Sequence, residues 1–129
     1  MSDLLRSLNY AASGMQAQSG RLRHVAENIA NSDTPGYRRK VTSFQEVAGE
    51  YGPEGVVTGP VRLDNAPLTR IFEPGHPLAD ETGHYDGSNV DLVTEVADAR
   101  EAQRSYDANL RMFDQARQMT LSLFELLRR

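Results

Sequence analysis

Residues 4–29, LLRSLNYAASGMQAQSGRLRHVAENI, decide the fold. Leu4, Leu8, Ala11, Met15, Gln18, Leu22, Val25 and Ile29 recur at steps of four and three without a slip. Seven of these eight are apolar, Gln18 being the exception. Such a stripe marks one face of a long helix suited to coiled-coil packing. The spacing predicts a helix over residues 3–31, about 43 Å long at 1.5 Å per residue. Gly14 and Gly20 lie inside it, each costing about 1 kcal/mol against Ala. Small residues also let a neighbouring helix approach closely, so packing outweighs propensity here.

The stretch that follows, Asn31-Ser-Asp-Thr-Pro-Gly-Tyr37, stops this helix. Pro35 drives Thr34 away from helical angles, and Pro-Gly is a strong turn signal. Of the ten Gly in the chain, eight fall between residues 36 and 87, and all six Pro fall between 35 and 77. Short β-prone pieces stand at Arg39–Phe44, Val56–Leu63 and Leu68–Phe72. They read as an extended insert with a small hairpin or two, too poor in alternating apolar residues for a self-sufficient sheet domain.

A second stripe begins near Ser88 or Asn89, either of which can cap a helix, with Asp91 in the first turn. Leu92, Val96, Ala99, Gln103, Tyr106, Leu110, Phe113, Arg117, Thr120, Phe124 and Leu127 again step by four and three. Acids crowd its start, and Arg128 and Arg129 close it, matching the helix dipole. Glu101–Arg104, Asp107–Arg111 and Asp114–Arg117 stand at ion-pair spacing. A helix over 89–128 would be about 60 Å long, too long for 129 residues to bury alone.

The predicted fold is therefore mainly α. Two long terminal helices, 1–31 and 89–129, pair as one coiled-coil-like helical domain. Between them, 32–88 is an extended Gly/Pro-rich insert containing short β-strands. Apolar stripe left uncovered implies neighbours. The residues expected at an assembly interface are Leu4, Leu8, Met15, Leu22, Val25 and Ile29 on the first helix. On the second they are Leu92, Val96, Tyr106, Leu110, Phe113, Phe124 and Leu127.

Composition narrows the function classes. The chain has no Cys, which excludes disulfides, thiol catalysis and zinc-thiolate sites. Its net charge of −4 is concentrated in the insert, which carries −4, against +1 for residues 1–31 and −1 for 89–129. An acidic middle argues against nucleic-acid binding, and Arg38-Arg39-Lys40 is the only basic run. The N-terminus lacks the basic and apolar regions of a cleaved signal peptide, and no stretch is long enough to insert in a membrane. His76, Asp80 and His84 stand at spacings of four, followed by Asp86. Pro77 breaks any helix that would align them, so a metal-dependent enzyme built there is a weak rival, and neither metal nor cofactor is expected. Asp80-Glu81 has no partner nucleophile or oxyanion donor, so no catalytic residue is assigned. His24, beside the first stripe, reads as a surface or interface histidine.

Several motifs carry a family resemblance. Ser13-Gly-Met-Gln-Ala-Gln18, Arg21-Leu22 and Ala26-Glu-Asn-Ile-Ala-Asn-Ser-Asp-Thr-Pro-Gly-Tyr-Arg-Arg-Lys40 resemble the N-terminal signature of the flagellar rod and hook axial proteins. Pro74-Gly-His-Pro-Leu-Ala-Asp80, Gly83, Asn89-Val90, Glu95-Val-Ala-Asp-Ala and Arg104-Ser-Tyr-Asp-Ala-Asn109 resemble its proximal-rod members. Residues 84–88 depart from the family pattern. The resemblance implies a non-enzymatic subunit of a torque-transmitting tube whose bore passes export substrates. It would leave the cytoplasm through the flagellar type III export apparatus without a cleaved signal and assemble in the periplasm. Its neighbours would be copies of itself, rod proteins of the FliE, FlgB and FlgF types, and the MS ring.

Within the turn motif Asn28, Asn31, Thr34, Pro35, Gly36 and Tyr37, two readings stand. One is a helix stop and nothing more. In the other, Asn amides cap backbone groups and the rigid turn aims the insert at an adjacent subunit, where Tyr37 buries its ring with its hydroxyl bonded. Arg38–Lys40 is either solvated or paired with a neighbour's acidic insert. The competing functions are a sister rod protein at another position and an export adapter or binding module.

Overall fold

The computed structural model describes residues 2–50 and 52–128. Helix α1 spans Ser2–Ala30 and helix α2 spans Leu92–Arg128. Six short strands lie between: β1 (Lys40–Val41), β2 (Phe44–Gly49), β3 (Gly52–Thr58), β4 (Arg62–Leu63), β5 (Arg70–Phe72) and β6 (His84–Asp86). The expected closing charge of Arg129 lies outside the described residues. The protein is thus mainly helical with a minor antiparallel β component.

Asn31 ends α1. Its backbone N–H and its side-chain Nδ2 both donate to the Glu27 carbonyl, at 3.1 and 2.9 Å. The chain then turns through Gly36, whose φ of 74° suits a residue without Cβ. Helix α2 starts later than the sequence reading placed it. Asp91 is its cap, accepting the Val93 N–H at 3.0 Å through its side chain and the Glu95 N–H at 3.0 Å through its carbonyl. Ser88 Oγ donates to the Ser32 carbonyl and accepts the Val90 N–H at 3.3 Å, ahead of the helix, while the Asn89 side chain is taken by Arg39 and the 64–66 loop.

The strands form three separate two-stranded antiparallel ladders, β1–β4, β2–β3 and β5–β6. The β2–β3 hairpin is the longest and carries a bulge at Val47/Ala48. It lies on α1, where the Val56 N–H donates to Ser13 Oγ at 2.9 Å. One of these strands, β6, escapes sequence reading because it lies in a tract of turn-forming residues.

The two helices pack antiparallel. Asn28 touches Glu95, Arg21 reaches Asp98 and Glu101, and Gly14 faces Asn109. A Cβ on Gly14 would lie 2.8 Å from the Asn109 amide, so the notch at Gly14 is what admits that side chain. The α2 stripe read from the sequence has two columns at seven-residue spacing, and only one faces α1. Ala99, Tyr106, Phe113 and Thr120 are buried or half-buried, whereas Val96, Gln103, Leu110, Arg117 and Phe124 are exposed. Glu95, Ala102, Asn109 and Ala116 occupy the second inward column, the first, second and fourth of them fully buried. Close helix approach selects small side chains, and large ones are rotated outward.

None of the three ion pairs expected along α2 forms among the described residues. Glu101 pairs instead with Arg21 of α1 at 3.3 Å.

Candidate functional site

The buried apolar residues are small: Ala11, Ala17, Val25, Ala102 and Ala116. The largest fully buried side chains are Glu95 and Asn28, at 0% and 1% exposure. A carboxylate and an amide at the centre of a thin core require partners for every polar atom. They have them.

Asn28 uses its whole hydrogen-bonding capacity. Its Nδ2 donates to the Lys40 carbonyl at 3.0 Å and to Glu95 Oε2 at 3.2 Å. Its Oδ1 accepts the Tyr37 hydroxyl at 2.8 Å and the Lys40 N–H at 2.9 Å. Arg39 closes the other side. Its Nε donates to Glu95 Oε1 at 2.7 Å, while its two terminal nitrogens reach Asp64 and Asp98, both at 3.2 Å. The Arg39 N–H donates to Asn89 Oδ1 at 2.7 Å, and Arg38 Nη1 donates to the Asp64 and Ala66 carbonyls at 3.1 and 3.0 Å. This polar knot binds the end of α1, the roots of the insert and the first turn of α2.

Its electrostatics follow from these contacts. Burial alone would weaken the Arg39 charge, but hydrogen bonds from its guanidinium to Glu95 and Asp64 outweigh that and hold its pKa above the usual arginine value. The Ala66 N–H, then Arg39, holds the Asp64 carboxyl below its ordinary range. Burial, reinforced by the Glu27 charge, raises the Tyr37 hydroxyl. Glu27 is lowered and Lys40 raised by their mutual contact at 2.6 Å.

The turn motif thus divides. Asn28 and Tyr37 belong to the knot, Asn31 caps α1 and accepts the Thr34 hydroxyl at 3.1 Å, and the Gly36 N–H donates to the Asp86 and Gly87 carbonyls. Thr34 and Pro35 are exposed. The Tyr37 hydroxyl is bonded, as anticipated, but its partner is Asn28 of the same chain rather than a neighbour. Arg38, Arg39 and Lys40 all have partners within the chain.

The stripe residues sort by exposure. Leu4, Leu8, Met15 and Leu22 are half-buried, Val25 is buried and Ile29 is exposed; Tyr106 and Phe113 are half-buried. Leu92, Val96, Leu110, Phe124 and Leu127 are exposed. Residues 121–128 lie past the last buried position, Thr120, and every one of them is exposed. In that tip Phe124 is 46% exposed and Leu127 76%.

His76, Asp80, His84 and Asp86 shape the β5–β6 hairpin. The His76 ring stacks on Tyr85 at 3.9 Å, and His84 leans on Phe72 at 5.0 Å. Asp80 accepts from Thr82, Arg70 and the His84 N–H, which together hold its carboxyl far below the usual range. Among the described residues, no three His, Asp or Glu are grouped to hold a metal ion. His24 is half-buried, and its Nδ1 and Gln18 Oε1 are buried without partners.

The knot joins two segments that comparison with known proteins matches separately. The family described as flagella basal body rod protein matches residues 8–38, and the flagellar basal body rod FlgEFG protein C-terminal family matches residues 81–126. The flagellar basal-body rod protein FlgC of Agrobacterium fabrum is 41% identical over 136 residues, covering 99% of this chain and 98% of its own. Its counterpart in Salmonella typhimurium is 36% identical over 130 residues, covering 95% and 97%. That of Aquifex aeolicus is 34% identical over 131 residues, covering 97% and 98%. This chain belongs to the FlgC family of flagellar basal-body rod proteins. Its function is structural, as a subunit of the flagellar rod. In this FlgC-family chain the first match holds Asn28 and Tyr37, the second holds Asn89, Glu95 and Asp98, and Arg39 between them links the two. No described helix is long and apolar enough to cross a membrane.

Proposed function

We propose that the chain polymerises through α1 and α2 into the proximal part of the rod, a tube that transmits torque and whose bore passes export substrates. The supporting observation is the amount of surface left bare, with Leu92, Val93, Leu126 and Leu127 each at least half exposed. The chain exposes 8960 Å², whereas a compact monomer of 14.3 kDa exposes about 6,800 Å². An excess of about 2,200 Å² is the size of an obligate interface. Contacts through such faces that do not close into a ring generate a helical array.

The helices supercoil with those of neighbours, and Leu4, Leu8, Met15, Leu22, Val25 and Ile29 with Leu92, Val96, Tyr106, Leu110, Phe113, Phe124 and Leu127 form the assembly interface. Those neighbours are further copies and rod proteins of the FliE, FlgB and FlgF types, within the MS ring. The chain reaches the periplasm through the flagellar export apparatus, without a cleaved signal and without entering a membrane. It has no catalytic activity.

Folding is coupled to assembly, because five small buried apolar residues supply little of the about 1–2 kcal/mol per residue that ordering costs. The isolated chain at micromolar concentration should show weak helicity by circular dichroism and no cooperative melt. The same chain should be found in purified basal bodies. A sharp melt of the free chain, or its recovery only as a soluble one-to-one complex with another export component, would overturn the reading in favour of an adapter.

A further inference from the structure

We infer that the Asn28–Glu95 contact is the register key of the α1–α2 pair. Apart from this contact and the notch where Gly14 admits Asn109, the buried seam does not specify one alignment. Its inward α2 positions Ala102 and Ala116, and its α1 positions Ala11 and Ala17, are all alanine and all buried. Alanine against alanine packs almost as well after a slip of one turn, about 6 Å along the axis. Glu95 and Asn28 do not tolerate that slip. Moved by a turn, Asn28 Nδ2 loses Glu95, and Glu95 is carried away from Arg39, whose neighbour Lys40 is held to Asn28 of α1 through both its N–H and its carbonyl and whose guanidinium also binds Asp64 of the insert. An unpaired buried carboxylate is far costlier than a shifted methyl group. Single buried polar pairs set register in helix pairs by this means.

The key lies at one end of the seam and governs what happens at the other. In this alignment Thr120 is the last covered residue of α2, and the apolar tip 121–128 projects past it. One turn of slip would cover part of that tip or bare Ala116. The consequence for the assembled rod rests on the proposed polymerisation, but the register itself does not.

Because the chain has no Cys, an introduced pair reports register alone. In the aligned structure Gly14→Cys with Asn109→Cys sits at bonding distance, since a Cβ at 14 lies 2.9 Å from Asn109 Cγ. Gly14→Cys with Ser105→Cys or Phe113→Cys reports a slip of one turn either way. Replacing Gly14 and Asn109 also removes the notch, leaving the polar contact as the discriminating element. Oxidation in isolated basal bodies and in whole cells should yield the 14–109 disulfide in an otherwise unaltered chain. With Asn28→Leu and Glu95→Leu together, the ratio of aligned to slipped disulfide should fall about tenfold or more, while Glu95→Gln, which can still bond Asn28 and Arg39, should keep it. An unchanged ratio in the Leu pair overturns the inference. So does loss of every disulfide in that variant, which would make the contact necessary for pairing as such and not for choosing the alignment. Either result leaves the assembly reading to its own test, the presence of the chain in basal bodies.

Discussion

The two ends of the helix pair are opposites. Where α1 ends and α2 begins, the interior is a network of Asn28, Tyr37, Arg39, Asp64, Asn89, Glu95 and Asp98, with every side-chain oxygen and nitrogen of Asn28 and Glu95 matched. At the far end Leu121, Leu123, Phe124, Leu126 and Leu127 are all exposed. A globular protein places these groups the other way round. On the proposed assembly the inversion separates two tasks: polar groups within the chain specify its shape, and apolar groups on its surface would supply the energy of joining others. Buried polar contacts are directional and add little net stability, whereas apolar burial is non-directional and scales with area.

Breaking the polar end should have the largest effect. Arg39→Ala strands Glu95 at 0% exposure, with only the Asn28 amide left beside it. Removing one partner of a buried pair costs about 3–5 kcal/mol. Swimming in soft agar and the chain's abundance in purified basal bodies should both be lost. Arg39→Lys should recover only part, because an ammonium cannot span Glu95, Asp64 and Asp98 as the planar guanidinium does. Normal swimming of the Ala variant would show that the network is decorative.

The apolar end should fail differently. Leu127→Asp and Phe124→Asp each remove about 1.5–3 kcal/mol of burial, but only when a neighbour covers the site. Assembly should therefore fall about ten- to a hundredfold, while the aligned 14–109 disulfide still forms in whichever chains are made. Loss of that disulfide in the tip variants would mean that the two ends are not separate systems.

This division also marks what could be read from the sequence. Helix α1 was legible because one face meets the rest of the molecule and its leucines step regularly along it. The presence and end of α2 were legible for the same reason. Its inward face was legible in part: Ala99, Tyr106, Phe113 and Thr120 of the stripe do turn inward, but the column of Glu95, Ala102 and Asn109 was not read. Hydropathy also picks out Val96, Leu110 and Phe124, which are exposed, while helices that approach closely enough for Gly14 to admit Asn109 select Ala102. Glu95 reads locally as an acid suited to a helix dipole, and nothing near it announces burial, since its cation is Arg39, 56 residues away. Ser88, Asn89 and Asp91 all qualify as caps; Ser88 Oγ serves Val90 ahead of the helix and Asn89 is taken by long-range bonds, which leaves the role to Asp91. Tyr37 was legible in its bonded hydroxyl but not in its partner, and its ring is half-buried within the chain.

Acid should sharpen the comparison. Asp64, Glu27 and Asp80 all have folded-state pKa values below their ordinary ones, through Ala66 and Arg39, Lys40, and Thr82 and Arg70 respectively. A depressed carboxylate contributes stability that is present above its unfolded value, about 4, and lost as pH falls below it. None of these three carboxylates lies in the tip, residues 121–128. Pepsin digestion of assembled rods between pH 4.5 and 2 should therefore open residues 32–88 before the helices. Simultaneous cleavage of helices and insert would contradict the assignment of acid sensitivity to the polar end.

The smallest effect is expected from Arg70→Ala, and it controls for the largest. Arg70 resembles Arg39 on paper: it bridges Asp80 at 2.6 Å and Asp86 at 3.1 Å. Its hydrogen bonds to both raise its pKa, as those of Arg39 do. What differs is water. The Arg70 side chain is 50% exposed and its partners 45% and 54%, against 16% for Arg39 and 0% for Glu95. Solvent and salt screen exposed pairs, and when Arg70 is removed both aspartates simply hydrate. Arg70→Ala should swim as the unaltered chain does and appear in basal bodies at the same level. A loss approaching that of Arg39→Ala would require Arg70 to be covered in the rod, placing the β5–β6 hairpin against a neighbour and adding a polar contact to an interface otherwise assigned to the helices.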